Sequence, residues 1–227
     1  MTKRASIIKI ALAVLEKDLR SEFRTRYAIS SVLLFILTAV TMLIFSIAGQ
    51  TPSKGIASGL LWVVMFFGAM TGLSKSFVSE EDRGTSLYLQ ISAISGAVYL
   101  GKLLFNILLS LSLNIFTSLL FLLFIDSFRI SSFGIFLSVL FIGSIALASA
   151  TTIISAIIAR ANSKNTLFPV LSFPVLLPLI MLGVETTLMS LEGGAYSDAA
   201  GNLQAIAAYS GIMITASFLL FDFIWKD

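Results

Sequence analysis

FGIFLSVLFIGSIALASATTIISAIIA, residues Phe133 to Ala159, runs for 27 residues without an acidic or basic side chain. A helix of about 20 residues crosses a hydrocarbon layer roughly 30 Å thick, so this stretch is long enough to span a membrane alone. Its apolar residues are continuous rather than alternating, which argues for a helix over a barrel strand. A helix also satisfies every backbone group within the segment, where no water is available to do so.

Five further charge-free runs accompany it: Ala28 to Ala48, Gly55 to Ser74, Leu103 to Ile125, Asn165 to Val184 and Leu203 to Phe221. The composition agrees, with 57% hydrophobic and only 12% charged residues, against roughly 45–50% and about 25% in a soluble domain. The expected fold is all-α and polytopic, with six transmembrane helices. One membrane domain covers residues 28–227 and carries a polar cytoplasmic loop at 75–102, and residues 1–27 form a separate lead-in segment.

Basic residues set the orientation. With the N-terminus cytoplasmic, thirteen of the fifteen Lys and Arg residues fall inside and only Lys54 and Arg129 outside, so the positive-inside rule places both ends in the cytoplasm. A secretory signal peptide competes for the first span, because Ser46-Ile47-Ala48 resembles a cleavage site. The basic region before it and the apolar run itself are too long for one.

Within the lead-in, Ile8, Leu12, Leu15, Leu19 and Phe23 recur at helical spacing, while Lys9, Glu16, Lys17, Arg20 and Arg24 occupy other faces. This pattern predicts an amphipathic helix lying on the cytoplasmic membrane surface, its basic side chains near anionic head groups.

The loop at 75–102 carries Glu80-Glu81-Asp82 followed by Arg83-Gly84-Thr85. Three adjacent carboxylates make a poor metal site, since neighbours on a helix point apart and hard cations draw ligands from separated positions. A solvated turn and a docking surface for a soluble partner are the two readings that remain. Gly96 to Lys102 fits seven positions of the phosphate-loop pattern, but Leu103 stands where magnesium binding needs Ser or Thr, and no strand precedes the glycine. Lys102 reads instead as a lysine snorkelling toward head groups at the entry to the third span.

Three of the four prolines, Pro169, Pro174 and Pro178, fall in the fifth run. Each removes a backbone donor, which predicts a kinked helix, moving or static. Asn106, Asn114 and Thr117 in the third span, and Ser144, Ser149, Thr151, Thr152 and Ser155 in the fourth, read as helix-packing groups. No ionisable residue stands within the six runs, which argues against a proton-driven carrier or an intramembrane enzyme. The chain has no cysteine and no histidine, so thiolate metal sites and Cys-His nucleophiles are excluded. Nothing implies nucleic acid.

The order of these features resembles the permease subunits of ABC-2 type exporters and, more narrowly, the haem exporter protein B family, CcmB. The likeness is carried by Glu16-Lys17-Asp18-Leu19-Arg20 with Phe23-Arg24 before the first span, Leu61-Trp62-Val63 in the second, Phe77 to Leu87 in the loop, Gly101-Lys102, and Pro169 to Pro178. The resemblance implies a non-catalytic subunit of the bacterial inner membrane that pairs with a separate ABC ATPase holding the ATP. It assigns the ATPase contact to Phe77, Glu80, Glu81, Asp82, Arg83, Gly84, Thr85 and Leu87. It further implies a hetero-oligomer, with two copies possible, containing a haem-handling membrane protein and releasing a periplasmic haem chaperone. Of the side chains that ligate haem iron, only Met and Tyr remain here, so haem is expected on partners and no cofactor on this chain. A permease for a lipid, drug or polysaccharide would share the architecture, and a non-transporting assembly scaffold is the reading from another class.

Overall fold

The structure, a computed structural model, describes residues 6–47, 49–159 and 164–226. Lys3, Arg4, Ala48 and Arg160, which entered the sequence reading, lie outside the described residues. Among those described there are nine helices and no strand: α1 (Ile7–Thr25), α2 (Tyr27–Ile47), α3 (Lys54–Gly72), α4 (Lys75–Asp82), α5 (Ser86–Ser92), α6 (Ser95–Phe124), α7 (Phe133–Ile158), α8 (Lys164–Glu192) and α9 (Tyr196–Lys226). Six are long and apolar enough to cross a membrane, α3 continuing closely into α4, and they coincide with the six charge-free runs.

The interval 75–102 departs from the expected loop. It holds two short helices, and α6 begins at Ser95, seven residues before Lys102. The polar residues Ser95 and Lys102 are buried there against protein, so the helix starts well before its charge-free stretch.

The bundle is organised around α7, which packs on α6, α8, α9 and α4. Its inner surface is made of small residues, with Ser144, Ala146, Ala148, Ser149, Ala150, Thr151 and Thr152 all fully buried. Small side chains let helix backbones approach closely where hydrophobic driving force between helices is absent. Amide groups of α6 cross the same seam, Asn106 Nδ2 donating to Thr152 Oγ1 at 2.8 Å and Asn114 Nδ2 to Ser144 Oγ at 2.9 Å.

Trp62 of α3 fixes how α3, α7 and α8 meet. Its indole N–H donates to Thr187 Oγ1 at 2.9 Å, and the ring fits where Gly143 and Gly183 leave room. A Cβ on Gly143 would lie 2.7 Å from the ring, and one on Gly183 would lie 2.6 Å from Cη2. The helix α8 runs unbroken through Pro169, Pro174 and Pro178, all at exposed positions. Beside them the Tyr209 hydroxyl of α9 donates to Val175 O at 2.8 Å, tying α9 to the proline-rich stretch of α8.

Both ends of the described chain lie on one face. There Gln90 Nε2 of α5 donates to Trp225 O at 2.6 Å, and Ser95 Oγ donates to Asp222 Oδ1. On the opposite face the last turn of α8 is closed by its neighbours. Ser131 N and Ser132 N donate to Ser190 O, and Lys54 Nζ donates to Leu191 O at 2.6 Å. These are carbonyls that a helix end leaves without intrahelical partners.

Candidate functional site

The helix α1 uses two faces. Of the stripe read from the sequence, Ile8, Leu12 and Phe23 are exposed and Leu15 and Leu19 are half-buried, whereas Ala11, Val14 and Asp18 are buried against α6. The close approach is made at Gly101, where a Cβ would stand 2.6 Å from Ala11 O and 2.7 Å from Val14 Cβ. At its end, Arg26 adopts a left-handed conformation with φ 52°, and Glu22 Oε1 accepts from Ile29 N at 2.8 Å. The Glu22 carboxylate thereby satisfies a first-turn donor of α2 and sets the elbow between the two helices.

Immediately after Gly101, Lys102 is 2% exposed. Its ammonium lies 3.1 Å from Asp18 Oδ2 of α1 and 2.8 Å from Glu80 Oε1 of α4, and over the Phe77 ring at 5.7 Å. This corrects the snorkelling expectation. Two carboxylates from other helices meet the charge inside the protein, so it has no need to reach the head groups. Lys17 pairs with Glu80 as well and lies 3.1 Å from Asp18 Oδ1. Burial opposes the Lys17 charge, but the Asp18 and Glu80 carboxylates outweigh it and hold the amine above its ordinary pKa. Two lysines and two carboxylates from three helices therefore balance. An unbalanced charge here would cost several kcal/mol, so such a set holds only while its partners stay in place.

Thr85 completes the set, its Oγ1 donating to Glu80 Oε2 at 2.5 Å, with Thr85 N donating to Glu80 O at 3.0 Å. Between them Gly84 takes φ 66°, a left-handed turn that favours glycine. The acidic cluster thus divides. Glu80 is buried, Glu81 is half-buried, and Asp82, Arg83, Gly84 and Thr85 are exposed.

Phe77 anchors the other side of α4. It is 1% exposed among Leu89, Tyr99, Phe221 and Trp225, and its N–H donates to Ser155 Oγ at 3.2 Å. With Phe77 and Leu89 turned inward, α5 carries Leu87, Tyr88 and Ile91 outward, Ile91 being 88% exposed. Beside this segment a cleft of about 670 Å³ opens between α1 and α4 to α6, with Lys17, Asp18, Glu80, Lys102 and Asn106 in its lining.

Of the residues expected to form one contact surface, the structure keeps Asp82, Arg83, Gly84, Thr85 and Leu87 at the surface and buries Phe77 and Glu80 as its anchors. Asp18, Lys102, Tyr88 and Ile91 were not singled out as site residues by the sequence. The spacing of Ala11, Val14 and Asp18, at i, i+3 and i+7, puts Asp18 on one helix face with two small apolar residues, but gives no signal for the lysine 84 positions away.

The architecture defines a multi-pass integral membrane protein, a six-span helical bundle whose short extra helices gather on the face that holds both described ends. Residues 9–223 match the CcmB protein family, and the chain belongs to that family. It is accordingly a membrane subunit of a haem exporter ABC system, a transporter permease of a kind that is typically non-catalytic and partnered with an ATPase. No curated protein matches the chain.

Proposed function

We propose that this chain couples a separate ATPase to haem export in cytochrome c maturation, through the segment Phe77 to Leu87 extended by α5. The observation that carries the reading is the division of that segment into buried anchors, Phe77, Glu80 and Leu89, and outward apolar side chains, Leu87, Tyr88 and Ile91. A solvated turn has no use for three exposed apolar residues on a helix so firmly held, whereas a docking surface does. Nucleotide-driven closure of ATPase subunits, pressed on this segment, would bias two arrangements of the spans. Pro169, Pro174 and Pro178 make α8 a candidate for the helix that yields.

The chain sits in the inner membrane with both ends cytoplasmic, as its basic residues favour. The exposed apolar stripe of α1 rests on the leaflet surface, with Lys9 and Arg24 near head groups. ATP belongs to the partner and haem to a haem-handling membrane protein and a periplasmic chaperone. Two copies of this chain fit a pair of ATPase subunits.

The test is purification of the tagged chain from its native membranes in mild detergent, with mass spectrometry and an ATPase assay on what is retained. An ATPase together with a haem-handling membrane protein supports the reading, and an ATPase alone points to another cargo. Absence of any ATPase overturns the coupling role and leaves an assembly scaffold.

A further inference from the structure

We propose that Lys102 is a positioning residue that makes α1 a moving part of the coupling element, joined to α4 across the cleft. The proposal rests on the reading of α4 and α5 as the ATPase contact. It adds that the stroke reaches α1 as well as the spans.

The argument begins with what α4 is tied to. Glu80 bonds to Thr85 in its own segment, but its charge is met by Lys102 of α6 and Lys17 of α1. Lys102 in turn holds Asp18 of α1 through the same ammonium. Being 2% exposed, Lys102 cannot exchange a carboxylate for water, so any displacement of α4 that lengthens the Glu80 contact must leave the ammonium more dependent on Asp18. The alternative is that α1 moves with α4 and keeps both contacts. Either way the free energy of the α4 position depends on Asp18, which stands on α1.

Space for such motion is present. The cleft of about 670 Å³ separates α1 from α4 to α6 along Ser21, Ser76 and Ser79, and charged side chains bridge it at its Lys102 end. The helix α1 meets α6 closely at Gly101, where only the backbone of Ala11 and the short side chain of Val14 come up against the glycine, which is the geometry of a pivot. Asn106, one turn further along α6, has a buried Oδ1 with no partner lining the same cleft. The floor therefore has a free acceptor available to a shifted donor.

The chain contains no cysteine, so Ser21→Cys and Ser79→Cys place two spin labels on opposite walls without further changes. Distances are measured in the intact complex in proteoliposomes, with and without trapped nucleotide. The unmutated joint is expected to show a nucleotide-dependent shift in the label distance. Asp18→Asn is expected to abolish the shift and to lower stimulation of the bound ATPase by about tenfold, within the usual range of coupling between sites. ATPase recovery is expected to stay at the level of the parent chain, because α5 is untouched. The conservative Asp18→Glu, made in parallel, keeps the charge on α1 and is expected to keep the shift, which a loss of folding would not allow. An unchanged shift in Asp18→Asn, or a shift lost equally in Asp18→Glu, overturns the role of α1 while leaving the ATPase contact intact. Failure to recover any ATPase with the parent chain overturns both.

Discussion

Gly101 of α6 lies under the main-chain carbonyl of Ala11 in α1, so near that a single added Cβ would stand 2.6 Å from that oxygen. The other contact there, Val14 Cβ at 2.7 Å, is equally unable to yield, because it sits directly on the backbone of α1. The crossing therefore depends on the absence of a side chain at this one position.

Gly101→Ala is expected to lift α1 from α6 and destabilise the crossing by about 1–3 kcal/mol, the usual cost of overpacking. Limited trypsin digestion of the detergent-solubilised protein checks it. Cleavage after Lys17 is expected to accelerate, while fragments from the α6–α7 pair appear at the parent rate.

Trp62 supplies a second steric test. Gly183→Ala pushes a methyl group into an indole that is 2% exposed and hydrogen-bonded to Thr187, so neither partner can step aside. The thermal midpoint in detergent is expected to fall below that of the parent, by the equivalent of about 1–3 kcal/mol of overpacking, and to recover in part when Trp62→Phe withdraws the indole atoms that the methyl strikes. Equal midpoints would show that the ring is not held as described.

The amide bonds of the α6–α7 seam are expected to matter less than their burial suggests. In Asn114→Leu the Ser144 hydroxyl still donates to Leu140 O at 2.6 Å, and in Asn106→Leu the Thr152 hydroxyl still donates to Ala148 O. Each variant is expected to lose about 0.6 kcal/mol, near the average for interhelical hydrogen bonds in membranes. Unfolding in a denaturing detergent series gives the figure, and a loss several times larger would reveal a polar role beyond packing.

For the outward face of α5, Ile91→Glu is expected to leave the stability within about 0.5 kcal/mol of the parent, read as a nearly unchanged thermal midpoint, as for other surface changes. The co-purifying ATPase is expected to be lost. Leu89→Glu, two residues back and on the opposite, inward face of the helix, reverses the pattern and lowers the midpoint first. Retention of the ATPase by Ile91→Glu would remove the docking role from this helix.

The spans were readable because lipid imposes a simple rule, that about twenty residues must avoid charge, and six runs obey it. Their packing partners were less so. Gly101, Gly143 and Gly183 matter through what touches them, and nothing in a glycine announces its neighbour. The short helices α4 and α5 have too few turns to show a period, and their polar composition read as a loop. Lys102 was misplaced for a physical reason. A lysine at a helix entry ordinarily reaches for head groups, and only the convergence of Asp18 and Glu80, 84 and 22 residues away, makes burial tolerable. The acidic cluster itself was legible as a place of interest, but not that Glu80 turns inward while Asp82 stays out.

The order in which Lys102 and its partners occur along the polypeptide bears on its biosynthesis. Synthesis runs from the N-terminus, so Asp18 and Glu80 leave the ribosome before the lysine they neutralise. A lone lysine drawn into an inserting helix is costly, up to about 2.5–3.5 kcal/mol at the helix centre. Here two counter-charges are already in the nascent chain on the same side of the bilayer, ready to receive the third span as it arrives.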